Sequence, residues 1–310
     1  MIPFEYRTPK NLKEVHGTLK EFGTDAKLIA GGTALVIMMK QRLVRPSCLV
    51  SLRSVRGLNG IEIKDGGLRI GGLATHRAVE TSSLVRRRLP LLAETYHHVA
   101  TIRVRNMATV GGGLAHADPN QDPPPTLIAL SATVKATSAN GSRVIPLDDF
   151  FTDYYETVLN PDEIITELFV PKLAANTGAA YLKFLPRTAD DYATVSAAAV
   201  LSLDKSKKTI SDVRIALGSV GVTPIRATAA EALLRGQPVK TEAFAEAAEK
   251  AKEAVDPISD FRGSAGYKKE MAGVFVRRAL EKALANIRGQ AKAKAAPKKA
   301  RKIAKKRRKR

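Results

Sequence analysis

A strand-like segment that runs directly into two glycines constrains this chain more than any other local feature. Residues 26–30, AKLIA, predict a short buried strand, and Gly31-Gly32-Thr33-Ala34-Leu35 follow at once. A helix is predicted before this strand, from the apolar spacing in LKEVHGTLKEFG, and another after it, in ALVIMMKQRLV. CLVSL at 48–52 predicts a further buried strand. The opening of the chain is therefore predicted to be an α/β unit.

Two further regions follow, with different periodicities. IEIKDGGLRIGG at 61–72 predicts a hairpin, helical patterns cover 76–100, and LIALSATVKATS with the turn at 140–141 predicts a helix leading into another hairpin. DEIITELFVP predicts a strand. From about 177 to 287, three alternating segments predict an antiparallel sheet, and two segments with helical periodicity predict helices packed on it.

A second glycine cluster, Thr109-Val110-Gly111-Gly112-Gly113-Leu114, resembles the first in composition. Glycine lets backbone N–H groups approach an anion closely, and a helix that begins there adds the positive end of its dipole. Two such clusters suit a ligand with two linked phosphates. Each cluster alone is more often only a tight turn or bulge.

Several common sites are missing from the sequence. It has no G-x-x-x-x-G-K-[ST], no G-x-G-x-x-G followed by an acidic residue at the expected distance, and no G-x-S-x-G. The single cysteine, Cys48, cannot form an internal disulfide, supply a four-thiolate zinc site or hold an iron–sulfur cluster, and we interpret it as a core residue. A phosphate-binding scaffold without a nucleophile favours a protein whose reaction belongs to a bound cofactor.

The positive charge is concentrated at the C-terminus. The chain has a net charge of +21, and residues 288–310 carry 13 basic residues and no acidic ones, so that 38 basic and 30 acidic residues remain in the body. A segment this charged and this poor in large apolar groups is predicted to be disordered. No apolar run is long enough to span a bilayer, and the N-terminus lacks a signal-peptide layout. We expect a cytoplasmic protein, and peripheral attachment at the inner face of the membrane stays open.

Taken together, these segments resemble the FAD-binding medium subunit of molybdenum hydroxylases, the family of xanthine dehydrogenase and aerobic carbon monoxide dehydrogenase. AGGTALVIMMKQRLVRPSCLVSL resembles the first flavin motif of the family, and TIRVRNMATVGGGLAHADPNQD resembles the second. Three later segments resemble the C-terminal domain of the family: LKFLPRTADDYATVSAAAV, IALGSVGVTPIRATAAEALLRG and YKKEMAGVFVRRALEKA. The resemblance covers about residues 2–286 in order and is strongest to the carbon monoxide dehydrogenase branch.

The resemblance implies an α+β fold. Its FAD-binding domain would be of the vanillyl-alcohol-oxidase type and consist of two α/β subdomains, at 1–57 and 58–173. A C-terminal α+β domain, an antiparallel sheet with helices, would cover 177–287, and the basic tail would cover 288–310.

The resemblance also implies two sets of FAD-binding residues. The first lies along the pyrophosphate: Leu28, Ile29, Ala30, Gly31, Gly32, Thr33, Ala34 and Leu35. The second comes from the other motif: Ala108, Thr109, Val110, Gly111, Gly112 and Gly113. No residue of the chain is expected to be catalytic or to bind a metal.

Five single positions complete the implied site. His116 would be a further contact, Asp122 would bind the sugar or adenine side, and Ile165 would pack on the cofactor. Lys183 would reach the flavin ring, where positive charge stabilises a reduced, anionic N1 region, and Tyr192 would lie near the ring. Simpler interpretations stay open: Lys183 could be a strand-edge lysine, Asp122 a turn residue before three prolines and Ile165 a core residue.

The implied function is electron transfer within a complex. An iron–sulfur small subunit would supply electrons, a large subunit with the molybdenum cofactor would oxidise the substrate, and FAD in this chain would pass electrons to NAD, a quinone or oxygen. The [2Fe-2S] clusters belong to the partner because this chain has one cysteine, and a dimer of heterotrimers is expected.

Two alternatives from other classes stay open at this point. The chain could be a stand-alone flavin oxidoreductase. It could also bind nucleic acid or another polyanion through its basic tail, in a salt-dependent and sequence-independent way.

Overall fold

The computed structural model describes residues 2–185, 188 and 191–295. Its first unit is a three-stranded parallel sheet in the order β1-β3-β2, with a helix in each connection. The elements are β1 (Glu5–Arg7), α1 (Leu12–Phe22), β2 (Ala26–Ile29), α2 (Leu35–Lys40) and β3 (Cys48–Ser51). The predicted strand, glycine turn, helix and strand are all present, and Cys48 is fully buried in the core as expected.

Two details of this unit differ from the prediction. β1 was not predicted, because its three residues carry no apolar alternation and its side chains are exposed. α2 is shorter than the helix-like run in the sequence, because the chain turns at Arg42, which has a φ of 61°, ahead of Pro46.

The second unit contains a five-stranded antiparallel sheet in the order β4-β5-β10-β6-β7, and a separate small hairpin, β8-β9. The predicted hairpin over 61–72 is confirmed: Asp65 and Gly66 both have positive φ, as a tight two-residue turn requires. The strands are β4 (Ile61–Lys64), β5 (Gly67–Gly71), β6 (Thr133–Ser138), β7 (Gly141–Pro146), β8 (Phe151–Asp153), β9 (Glu156–Thr157) and β10 (Ile164–Val170). The helices are α3 (His76–Thr81), α4 (Ser83–Arg88), α5 (Pro90–His97), α6 (Ile102–Met107), α7 (Val110–His116) and α8 (Pro123–Ala129).

The third unit is an antiparallel sheet in the order β11-β12-β13-β14 with three helices. The predicted sheet and the two predicted helices are present, whereas the short strand Ile225–Arg226 and the helix Thr228–Leu234 were not predicted. Its elements are β11 (Thr177–Phe184), β12 (Val195–Leu203), β13 (Ile210–Gly218), β14 (Ile225–Arg226), α9 (Thr228–Leu234), α10 (Thr241–Ala251) and α11 (Ala265–Ala295). Within the described residues, no helix combines the length and the apolar character that a membrane crossing needs.

The predicted boundary of the basic tail needs a correction. α11 continues to Ala295, so disorder from residue 288 is wrong for the first eight residues of that segment. Ile287, just before it, is buried in the core of the third unit. The residues that follow, RGQAKAKA, are mostly alanine, lysine, arginine and glutamine, which favour a helix. Residues 296–310, the rest of the predicted tail, lie outside the described residues.

The C-terminal sheet is buried on both faces. Side chains alternate along a strand, so one face of β11–β13 packs against the second unit and the other against α9–α11. Tyr181, Ala198 and Ala216 belong to the core of the second unit, whereas Ala180 and Ala199 belong to the core of the third. The odd-numbered residues of β11 near its end therefore point towards the second unit.

Candidate cofactor site

The two glycine clusters meet in the structure. A Cβ added at Gly31 would overlap the carbonyl oxygen of Met107 and lie 2.9 Å from the Cα of Ala108. On the other side, a Cβ added at Gly112 would lie 3.6 Å from the Cβ of Ala30. Glycine at position 31 is therefore required for the two turns to touch.

The first turn leaves a run of backbone donors that have no acceptor among the residues that the structure describes. In the described part of the chain, the amide groups of residues 31–35 donate no hydrogen bond, and the hydroxyl of Thr33 makes none. All residues from Leu28 to Val36 are half-buried, so these groups face a partly open surface. Gly32 has a φ of 70°, which turns the chain back towards α2. Consecutive free amides of this kind bind an anion such as a pyrophosphate.

The second turn does not offer such donors. The first amides of α7 all donate within the protein: Val110 to the carbonyl of Ala74 at 2.9 Å, Gly111 to that of Gly72 at 2.8 Å, Gly112 to the side chain of Thr109 at 3.1 Å and Gly113 to the carbonyl of Thr109 at 2.8 Å. These four amides already have acceptors within the protein, so the prediction that the second turn binds the anion through its backbone amides stays a prediction. Gly112 is exposed beside the first turn, so the second turn contributes a surface without side chains.

A buried ion pair holds the segment that leads into the second turn. Arg105 on α6 donates to the carboxylate of Glu80 at 3.0 Å and to the carbonyls of Val99 and Ala100 at 2.9 and 2.7 Å. Burial alone would raise the pKa of Glu80, but hydrogen bonds from His97 and Arg77 and the charge of Arg105 lower it below its usual value. No local pattern in the sequence indicates this pair, because its two residues are 25 positions apart.

His76 supports the second turn from below. Its Nε2 lies 3.1 Å from the carbonyl oxygen of Thr109 and close to Gly113, where an added Cβ would be 3.2 Å away. Burial lowers the pKa of His76 to about 4, so the ring is neutral near pH 7. A neutral ring that donates through Nε2 has an unprotonated Nδ1, and this atom is buried without a partner in the described structure. No signal in the sequence singled out His76.

Asp122 and Lys183 were predicted as separate cofactor contacts, and the structure brings them together as partners of each other. The ammonium group of Lys183 donates to Asp122 at 2.9 Å and to the carbonyl of His98 at 3.0 Å. Tyr181 donates to the other carboxylate oxygen at 2.5 Å. The side chains of Lys183 and Asp122 are only 2% and 5% exposed, so neither presents a free surface beside the glycine turns. Burial raises the pKa of Asp122, against the effects of Lys183 and Tyr181.

The remaining three predicted residues lie at different depths. Tyr192 is 44% exposed, and its hydroxyl donates to Asp118 at 2.7 Å. His116 is half-buried, and its ring centroid is 5.1 Å from that of Tyr155. Burial lowers the pKa of His116. Ile165 is 5% exposed and lies in the core beneath the second turn, where its carbonyl abuts Gly111.

A wide groove lies elsewhere, between β5, α5 and α11. It shares no lining residue with the two glycine turns, so we do not assign the cofactor to it.

Comparison with known proteins places this geometry in a family. Residues 2–173 match the model for the FAD binding domain in molybdopterin dehydrogenase, and residues 180–283 match that for the CO dehydrogenase flavoprotein C-terminal domain. The chain is 40% identical to the carbon monoxide dehydrogenase medium chain of Hydrogenophaga pseudoflava, over 92% of this chain and 99% of the relative. It is 29% identical to the xanthine dehydrogenase FAD-binding subunit of Escherichia coli O157:H7, over 86% of this chain and 91% of that one.

A solved structure gives the same answer for the fold. Carbon monoxide dehydrogenase from Hydrogenophaga pseudoflava, in a form lacking the Mo-pyranopterin moiety of its cofactor, superposes with a TM-score of 0.88 at 42% identity. The match covers 92% of this chain and 99% of that chain, which confirms the predicted α+β FAD-binding fold. The chain therefore belongs to the family of FAD-binding medium subunits of molybdenum hydroxylases.

Proposed function

We propose that this chain binds FAD across the two touching glycine turns and acts as the electron-transfer subunit of a molybdenum hydroxylase complex. The observation that carries the proposal is the run of free amides at residues 31–35, held against Met107 and Ala108. FAD, when bound, accepts electrons from a one-electron donor and passes them on to an acceptor.

The residues divide into three roles under this proposal. The first turn holds the pyrophosphate through its amides and Thr33, as expected for residues 28–35. The second turn, with Ala108 and Gly112, forms the adjoining wall. Asp122 and Lys183 form a buried ion pair that supports the site without a free surface of their own. Tyr192 and His116 are more exposed than this pair.

The chain itself holds no iron–sulfur cluster under this proposal, because Cys48 is its only cysteine and is buried. The relatives are named as medium chains or subunits of larger enzymes. We therefore infer an iron–sulfur small subunit and a large subunit with the molybdenum cofactor as partners, in a dimer of heterotrimers. The mass of the complex purified from its host tests this stoichiometry.

The test of cofactor binding compares FAD with riboflavin, which has the same flavin ring but lacks both the pyrophosphate and the adenosine of FAD. The purified chain is titrated with FAD and with riboflavin, and binding is followed by flavin fluorescence and the visible spectrum. FAD should bind at least about a hundredfold more tightly, because riboflavin offers no phosphate to the free amides. Equal affinities for FAD and riboflavin would contradict a pyrophosphate site at the amides of residues 31–35. An absence of flavin bands after reconstitution with FAD would contradict the proposed function itself.

A further inference from the structure

The loop that follows the second glycine turn is held by the C-terminal domain. Among the described residues, four hydrogen bonds cross to it: Tyr192 Oη to Asp118 at 2.7 Å, Tyr181 Oη to Asp122 at 2.5 Å, Lys183 Nζ to Asp122 at 2.9 Å and the Ser219 amide to the Pro119 carbonyl at 3.3 Å. This loop connects α7 to α8. The C-terminal domain is therefore hydrogen-bonded to the segment that directly follows the second glycine cluster.

Both carboxylates in the loop depend on these donors. Asp118 and Asp122 are each only 4% exposed, and a buried carboxylate that loses a donor cannot recover the loss from water. Asp118 also accepts from the amide of Asn120, within the loop, at 2.9 Å. Each tyrosine hydroxyl is therefore one of the donors that hold an end of the loop in place, together with Lys183 at Asp122 and the Asn120 amide at Asp118.

Movement of the loop would be transmitted to the second glycine turn. The side chain of Gln121 donates to the carbonyl of Gly113 at 2.9 Å, and Ala117 ends α7 in a left-handed conformation with a φ of 52°. Gly113 in turn packs against His76 and Gln121 with little free space. A displaced loop thus changes the wall that Gly112 presents to the first turn.

We propose that Tyr181 and Tyr192 act as positioning residues: through hydrogen bonds to Asp122 and Asp118, their hydroxyl groups hold the second glycine turn against the first. This inference rests on the proposed FAD binding and adds to it a positioning role for two hydroxyl groups of the C-terminal domain. Neither tyrosine hydroxyl needs to touch FAD to control its affinity.

The experiment measures FAD affinity in the full-length chain after single hydroxyl removals. Tyr181→Phe and Tyr192→Phe should each raise the Kd for FAD about tenfold, since each removes a hydrogen bond to a buried carboxylate. The visible circular dichroism of bound FAD should change as well, because the wall beside the flavin shifts. Tyr267→Phe, on a 45% exposed tyrosine of the same domain, is the matched control and should change neither.

A double-mutant cycle separates positioning from a general loss of stability. In an Asp118→Asn background, Tyr192→Phe should alter the Kd by less than about twofold, because the hydrogen bond it removes is already weakened. An unchanged Kd for both tyrosine variants, or the same effect of Tyr192→Phe with and without Asp118, would overturn the inference. Failure of the wild-type chain to bind FAD would instead refute the proposed function.

Discussion

The two glycine turns resemble each other in sequence but use their backbone amides in opposite ways. In the first, residues 31–35 donate no hydrogen bond in the described structure, whereas the amides of residues 110–113 in the second all donate to protein acceptors. The difference arises from their neighbours: carbonyls of Gly72 and Ala74 lie directly behind the second turn and take its donors. A glycine cluster therefore becomes an anion site only where no carbonyl competes for its amides.

The glycines themselves serve different physical needs. Gly31 allows the backbone of Met107 to approach, and Gly32 allows a positive φ. Gly111 lies against the carbonyls of Gly72 and Ile165, where a side chain would not fit. Close packing of backbone on backbone explains the second cluster without any ligand, and the free amides of the first cluster do not have such an explanation.

The largest expected effect comes from separating the turns. Gly31→Ala places a methyl group against the backbone of Met107, and relieving that overlap should cost about 3 kcal/mol, or roughly a hundredfold in the Kd for FAD. Titration of the variant with FAD measures this. Gly17→Ala, in open space on α1, is the control and should bind FAD normally. A variant at position 31 that binds as tightly as the wild type would show that contact between the turns is not needed.

An intermediate effect is expected from pH, through the histidine beneath the second turn. The pKa of His76 is about 4 in the folded chain and about 6.5 in the unfolded one, so the unfolded state binds the extra proton between these values. The contribution of His76 to stability is therefore complete above pH 6.5 and is lost as pH falls towards 4, by about 2 kcal/mol at pH 5.

Urea unfolding of the FAD-free chain at pH 7 and pH 5 measures this loss. His76→Gln keeps a donor for the carbonyl of Thr109 but cannot be protonated, so its free energy of unfolding should fall less between the two pH values. Equal pH dependence in the variant and the wild type would argue against a neutral, buried His76.

The smallest expected effect is on the free energy of unfolding, and it is measured with the same substitution, threonine to valine, in each of the two turns. Thr109→Val removes the acceptor for the Gly112 amide and should lower the free energy of unfolding of the FAD-free chain by about 1 kcal/mol. Thr33→Val should change that free energy by less than about 0.5 kcal/mol, because its hydroxyl makes no hydrogen bond in the described chain, yet it should weaken FAD binding. Similar losses of stability in both variants would contradict the difference in hydrogen bonding between Thr109 and Thr33.

The local elements were largely predictable. Apolar spacing and turn residues predicted α1, the hairpin around Asp65 and Gly66, and the C-terminal antiparallel sheet, because each depends on neighbours within about ten residues. The end of α11 was not predicted: the excess of like charge in the tail favours disorder, whereas the alanine, lysine and glutamine residues of 288–295 favour a helix.

The support of the site was beyond local patterns. Glu80 and Arg105 form a buried pair across 25 positions, and Asp122 meets Lys183 across 61. A charged residue in a sequence looks the same whether it contacts solvent, a ligand or a distant partner. The predicted cofactor contacts of Asp122 and Lys183 stay predictions for that reason.

The sequence by itself determined the order of the elements, the two glycine clusters and the lack of any cysteine set for a metal cluster, since these follow from residue types and short spacings. Only the tertiary structure decided which cluster keeps its amides free. Whether an N–H group is available depends on which carbonyl lies within about 3 Å of it. For the second turn, two of those carbonyls belong to residues 72 and 74. The fold places them beside the amides of α7, and no local sequence pattern predicts this.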